Sequence, residues 1–233
     1  MQEVILNNGV KMPVFGFGVQ QMEDAYECEG VVIEGIQTGY RMLDLATGAN
    51  ETAVGRAIRN SGIARRELFI AAKLEATGYV QARRAFELTL CRLGLDYLDL
   101  YLLQPGDDIE GAWQAMEELC KAGRIRAIGV SNFQADLVSD LVKGSEIFPA
   151  INQVAIQSNE DNKMQLQSSN LPMRLGEDGI EFYGYSIVMS PRRSVAVSKR
   201  TIPDRMGKLI LTVRNSMQQF GHSICPGSGG VTC

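Results

Sequence analysis

Leu68-Phe69-Ile70-Ala71-Ala72-Lys73-Leu74 is followed by Tyr79–Leu93 and then by Leu98-Asp99-Leu100-Tyr101-Leu102-Leu103. The outer two stretches are short apolar runs of strand length. The middle one is mostly polar, with Phe86, Leu90 and Leu93 recurring at helical spacing to mark one buried face. Strand, helix and strand joined by short links make a βαβ unit, and its strands are parallel because a hairpin cannot join them. The alternation continues in both directions. Further strands are expected at Val14–Gly18, Arg41–Asp44, Ala127–Val130 and Ile151–Ile156. Helices are expected at Asp24–Gln37, Glu51–Asn60, Ile109–Ala122 and Ala135–Val142. Ahead of the first unit, Val4–Leu6 and Val10–Met12 flank Asn7-Asn8-Gly9, a hairpin signal because Asn-Gly tolerates positive φ. A hairpin before a long series of βα units favours an α/β fold of the (β/α)8 TIM-barrel type over a doubly wound sheet. Gly16-Phe17-Gly18 runs on into Val19-Gln20-Gln21, so the Gly-x-Gly-x-x-Gly of a dinucleotide-binding sheet is absent after the first strand.

Composition bounds the function. The 233 residues are 45% hydrophobic and 21% charged, an ordinary globular balance for one domain. A net charge of −4 and a pI near 5.2 offer no bulk attraction to nucleic acid or to an anionic membrane. No apolar run is long enough to span a bilayer, and the first residues lack a basic stretch leading into an apolar one, so neither a span nor a signal peptide is expected. Cys28, Cys91, Cys120, Cys225 and Cys233 are scattered and never form Cys-x-x-Cys. They read as reduced thiols of a cytoplasmic protein, with no metal site. The lack of large apolar stretches points to a monomer.

Several motifs in order carry a resemblance. They are Leu6-Asn7-Asn8-Gly9-Val10-Lys11-Met12-Pro13 with Gly16-Phe17-Gly18, Gly39-Tyr40-Arg41-Met42-Leu43-Asp44, Asn50-Glu51, and the Leu68–Leu74 run. Leu93 to Leu102, the specific run Gly123-Arg124-Ile125-Arg126-Ala127-Ile128-Gly129-Val130-Ser131-Asn132-Phe133, and Asn152-Gln153 follow. From about residue 4 to 157 the chain resembles the aldo-keto reductases, in particular the bacterial diketogluconate-reductase-like branch. Beyond that only fragments agree: Gly179-Ile180, Tyr185-Ser186, Ser198-Lys199 and Pro203-Asp204-Arg205-Met206.

The resemblance implies an NADPH-dependent oxidoreductase that passes hydride to the carbonyl carbon of a small molecule while an acid protonates the oxygen. Asp44 and Lys73 match the family's Asp and Lys, each at the C-terminal end of its strand, the barrel face where sites sit. Together they support a Tyr phenol whose ordinary pKa near 10 would make it a poor acid unaided. Two parts are missing. Between Asp44 and Asn50 the chain reads Leu45-Ala46-Thr47-Gly48-Ala49, with no Tyr, so Gly48 or Ala49 stands near the phenol's place. After Leu102-Leu103, where the family has a His, it continues Gln104-Pro105-Gly106, and the one histidine is His222. Gln104 can donate an amide hydrogen bond to a carbonyl but cannot deliver a proton.

The cofactor set is fuller. By resemblance, Ser131, Asn132 and Gln153 grip the nicotinamide carboxamide, and Tyr185, at the end of the seventh strand, stacks under its ring. Lys199 and Arg205 pair with the adenosine 2′-phosphate, Arg205 standing before a predicted helix at Asp204–Phe220. NADP(H) is therefore the expected cofactor.

The C-terminal third departs from a complete barrel. Between Tyr185-Ser186 and Val195-Ala196-Val197 only Ile187–Ser194 remains, with Pro191 inside it. A parallel crossover with its helix needs roughly 10–12 residues. Either the barrel is open at this seam, around its seventh helix, or Ile187–Val197 pairs in another way. The polar Ser158–Asn170 also drifts from the family where a helix is due. Residues 1–220 are read as the barrel and 221–233, with Pro226-Gly227-Ser228-Gly229-Gly230, as a flexible tail. Three functions follow: a carbonyl reductase of weak or lost activity, a non-catalytic NADP(H)-binding member, or a degenerate truncated product.

Overall fold

The computed structural model describes residues 3–19, 24–45, 50–75 and 78–153, and the backbone of four short strands at 156–158, 164–166, 185–189 and 194–199. Glu3–Ile5 (β1) and Lys11–Pro13 (β2) form the expected antiparallel hairpin, turning through Gly9 at φ 82°. The parallel run follows as Phe15–Val19 (β3), Ala25–Gln37 (α1), Met42–Leu45 (β4), Glu51–Asn60 (α2), Phe69–Glu75 (β5) and Tyr79–Leu93 (α3). It continues through Leu98–Gln104 (β6), Ile109–Lys121 (α4), Ile125–Ser131 (β7), Ala135–Lys143 (α5) and Asn152–Gln153 (β8). Each helix and strand lies within two residues of its expected position, apart from the last strand. There the expected Ile151–Ile156 divides into β8 and a separate strand, Ile156–Ser158 (β9).

Local chemistry sets the ends. Asp24 caps α1 by accepting hydrogen bonds from the backbone N–H groups of Tyr26 and Glu27, and Asp108 caps α4 through Gly111 N–H. Helix α3 stops at Gly94, whose φ of 64° is left-handed. Gly55 lets α2 cross α3 at contact distance, since a Cβ there would stand 2.1 Å from the Leu93 carbonyl oxygen.

Strand alternation divides the interior into two layers. Met42, Phe69, Ala71, Leu100, Leu102 and Ala127 point inward and cluster with Leu6 and Met12, so the hairpin's apolar side chains fill the interior core. The alternate residues Leu43, Ile70, Ala72, Tyr101 and Ile128 point outward against Val32, Val54, Phe86, Trp113 and Val138 of the helices. The TIM-barrel-type sheet runs in the order β11-β12-β3-β4-β5-β6-β7-β8, with β11 at Tyr185–Met189 and β12 at Ser194–Lys199, and is parallel from β3 to β8.

The C-terminal strands resolve the question left open at the seam. Tyr185–Met189 (β11) pairs antiparallel with Ser194–Lys199 (β12), and β12 pairs antiparallel with β3. Ile187–Met189 and Val195–Val197 therefore pair with each other antiparallel, which a link too short for a helical crossover permits. Where a helix was due after Ser158, Met164–Leu166 (β10) instead pairs with β9. The expected helix at 204–220 and the tail at 221–233 lie outside the described residues.

At the end where the strands begin, Asp99 is fully buried and accepts bonds from three elements. Its carboxylate takes Ile70 N–H at 2.9 Å, Arg65 Nη2 at 2.7 Å and Arg126 Nη1 at 2.7 Å. Removing it strands two guanidinium groups, one of them only 19% exposed. Asp99→Ala should cost about 3 kcal/mol, or roughly 6–12 °C in Tm. An unchanged melting temperature would show that this end is held by apolar packing alone.

Candidate active site

The same alternation that turns Met42 inward turns Asp44 inward one step nearer the strand's C-terminal end. Lys73 follows Phe69 and Ala71 on β5, Gln104 follows Leu100 and Leu102 on β6, Ser131 follows Ala127 on β7, and Gln153 follows Ile151 into β8. The sequence-predicted residues of the parallel strands thus converge on one rim, the face where barrel chemistry is built.

Parallel pairing of β4 with β5 brings Asp44 beside Lys73. Lys73 Nζ donates to Asp44 Oδ1 at 2.9 Å and Oδ2 at 3.1 Å, with the Leu45 carbonyl oxygen at 3.5 Å. Asp44 is fully buried and Lys73 is 8% exposed. Gln153 Nε2 donates to Asp44 Oδ2 at 2.9 Å. That bond joins strands well separated in the sheet order, so it crosses the barrel interior and requires the sheet to be curled. It was not anticipated from the sequence, where Gln153 was assigned to a carboxamide alone. The signal was available in the shared inward register of Asp44 and Gln153 at strand ends.

Ser131 and Gln153 are cross-strand partners on β7 and β8, both nearly fully buried. The next residue, Asn132, adopts a left-handed φ of 59° and is exposed, its N–H held by the Gln153 carbonyl at 2.7 Å. The buried Asn152 amide braces this turn, donating to the Phe133 carbonyl at 2.8 Å and accepting from Phe133 N–H at 3.4 Å. Gly129 lets β7 and β8 approach, since a Cβ there would meet the Ile151 carbonyl at 2.8 Å. Glu51 proves to be a tether between helices, accepting from Thr89 Oγ1 at 2.8 Å and from Arg92 at 3.3 Å.

Donor and acceptor chemistry fits a nicotinamide carboxamide at this rim. A hydroxyl and two primary amides, on adjacent strand ends and an adjoining turn, supply both the donor and the acceptor that a planar amide needs. Gln104 ends β6 half-buried, in register with Glu75.

The phosphate and stacking residues are placed differently from expectation. Tyr185 opens β11 instead of ending it, and pairs with Lys199 at the last position of β12. Because β12 descends antiparallel to β3, it passes Phe15 at Ala196, and Val197 to Lys199 run on away from Gly18 and Asp44. The hairpin therefore sets the backbone of Tyr185 and Lys199 toward the opposite end of the barrel from the Asp44–Lys73 pair. Arg205 lies outside the described residues, as do Gly48, Ala49 and Tyr183. The described tyrosines are engaged elsewhere or exposed. Tyr79 bonds Glu118, Tyr97 lies under Arg65, Tyr40 packs on Phe17, and Tyr26 is 85% exposed. Tyr101 lies in the outer layer, where burial first and the Glu51 charge second push its phenol well above the usual range.

A buried pair with one partner removed is costlier than no pair at all. Asp44→Ala, which leaves the Lys73 ammonium buried, should cost about 3–5 kcal/mol in denaturant unfolding. Asp44→Leu/Lys73→Met should recover most of that loss. A double variant as unstable as the single one would mean that the carboxylate's bond to Gln153, and not the ion pair, sustains the rim.

Comparison with known proteins agrees with this geometry. The Aldo/keto reductase family profile matches residues 16–213. The chain is 50% identical over 156 residues to glyoxal reductase of Bacillus subtilis, covering 65% of this chain and 56% of the relative. It is 46% identical over 158 residues to morphine 6-dehydrogenase of Pseudomonas putida, covering 65% and 53%. Among solved structures, an aldo/keto reductase from Brucella melitensis superposes with a TM-score of 0.63 at 39% identity, covering 66% of this chain and 62% of that one. A Bombyx mori aldo-keto reductase in complex with NADP gives 0.62 at 32% identity, covering 66% and 58%. The chain spans just over half the length of the curated relatives it matches. With a profile match over most of its residues, the chain belongs to the aldo/keto reductase family.

Proposed function

We propose that this protein binds NADP(H) at the C-terminal rim of its barrel and reduces small carbonyl compounds slowly. The observation that supports it most directly is the buried Lys73–Asp44–Gln153 cluster beside Ser131. A bound nicotinamide would supply hydride, and the proton that completes the alcohol would come from the Lys73 ammonium, which would recover it from water. Ser131, Asn132 and Gln153 would hold its carboxamide, and Lys73 would present an ammonium to a carbonyl oxygen as charge gathers on it. Gln104 could orient that oxygen by donating an amide hydrogen bond, although it has no proton to give. The printed name of the Bacillus relative makes glyoxal and similar small aldehydes the first substrates to try. The three described cysteines are free thiols, which supports a cytoplasmic protein.

A second reading is a family member that binds NADP(H) without turnover. It is favoured by the described tyrosines standing away from Lys73 and by Gln104 where a proton-bearing ring is usual. The two readings divide on one assay, NADPH oxidation with a panel of aldehydes and ketones. Without a Tyr acid, turnover should be absent or at least about 10²-fold slower than in a Tyr-bearing relative, and Lys73→Met should abolish any residue of it. Inserting Tyr after Gly48 should restore part of the rate, Gln104 being unchanged. Brisk turnover that survives Lys73→Met would place the chemistry elsewhere.

Preference for the 2′-phosphate rests on Arg205 by family resemblance, the Lys199 backbone being set toward the opposite end of the barrel. Arg205→Ala should weaken NADPH about tenfold or more while leaving NADH nearly unchanged, since a charge-assisted pair contributes about 1.5–3 kcal/mol. Equal weakening of both nucleotides in a titration would remove this cation from the phosphate site.

A further inference from the structure

A primary amide presents two faces of nearly identical shape and opposite chemistry. Turning it by half a revolution exchanges a donor NH2 for an acceptor oxygen, so something must decide which one a site displays. At Gln153 the deciding group is visible. Asp44 Oδ2 lies 2.9 Å from Gln153 Nε2, and the two residues are 0% and 2% exposed. As the ion-paired partner of Lys73, the Asp44 carboxylate can only accept. The reversed amide would set two buried acceptor oxygens face to face at a separation too short for a water between them, which is strongly unfavourable. Backbone freedom cannot relieve the conflict, because Gln153 is bonded into β8 through its own carbonyl and Asn132 N–H at 2.7 Å.

We propose that Asp44, besides holding Lys73, is the positioning residue that fixes the orientation of the Gln153 amide, so that Gln153 turns its carbonyl oxygen and not its NH2 to the cofactor. This rests on the reading that a nicotinamide carboxamide is held at this rim. An acceptor so fixed reads the NH2 of the carboxamide. A nicotinic-acid ring carries a carboxylate in that place, with no hydrogen to offer, and meets a fixed oxygen instead. The rim therefore discriminates the amide form of the nucleotide from the acid form, and the Asp44 carboxylate enforces that discrimination from beyond contact with the ring.

The test is calorimetric titration of the full chain with NADP+ and with its nicotinic-acid analogue. The unaltered protein should bind the amide form about tenfold or more tightly than the acid form. In Asp44→Asn the new amide can donate or accept, Gln153 is free to turn over, and the ratio should shrink by about tenfold. Removing a negative charge also favours an anionic ligand, so the same change is made in a Gln153→Met background. There it should move the ratio by less than about threefold, the part due to charge alone. Should Asp44→Asn fail to fold, Asp44→Asn/Lys73→Met replaces it in both backgrounds, with the same ratios expected. Equal shifts in the two backgrounds overturn the proposal, as does an unaltered protein that binds both nucleotides alike. An unaltered protein that binds neither nucleotide overturns the cofactor reading, and the proposal with it.

Discussion

The Asp44 carboxylate is the point on which the barrel's upper rim depends. It has no exposed surface, and taking such a group out of water is worth several kcal/mol of penalty unless charge and hydrogen bonds replace the lost hydration. Lys73 supplies the charge and Gln153 a further donor. Those partners come from β5, the neighbouring strand, and from β8, far along the sheet. One buried charge therefore ties strand register, inward alternation and sheet curvature together. A one-residue slip in any of these strands would turn its contribution out into the helix layer and leave the carboxylate bare.

At the opposite end Asp99 is an inverted counterpart. There one carboxylate gathers two arginines and a strand N–H. The contrast separates the two buried carboxylates by what they hold. Asp99 binds guanidinium groups that are planar and permanently charged, whereas Asp44 holds an ammonium and an amide, groups able to act on something else.

Much of this was legible in the chain. Leu68–Leu74 and Leu98–Leu103 are nearly continuous apolar runs because both of their faces are covered, and such runs announce buried parallel strands. Asp24 and Asp108 mark helix starts, and Gly94 a helix stop, through backbone groups that need partners. The pairing of Asp44 with Lys73 follows from their position at adjacent strand ends. The bond from Asp44 to Gln153 follows less directly: the inward register of both residues is legible, but sequence patterns do not report which of them meet across a curled interior. The C-terminal strands were read as far as chain length allowed: eight residues could not make a crossover. The direction in which the resulting hairpin would carry Tyr185 and Lys199 depends on which edge it joins, and no local preference encodes that.

The N-terminal hairpin has a consequence for the order of assembly. Asn7 donates to the Pro149 carbonyl and Asn8 to the Arg126 carbonyl, and Leu6 and Met12 complete a core whose other members extend to Ile151. The hairpin residues thus wait for partners made more than a hundred residues later. At about 5–20 residues per second the hairpin's apolar face stays uncovered for roughly 6–28 s of synthesis. Closing so long a loop is slow by nature, because its entropy is lost before any contact compensates. The strands between can pair with their neighbours as they emerge, but the interior becomes dry only when the hairpin returns to meet one of the last segments of the parallel series.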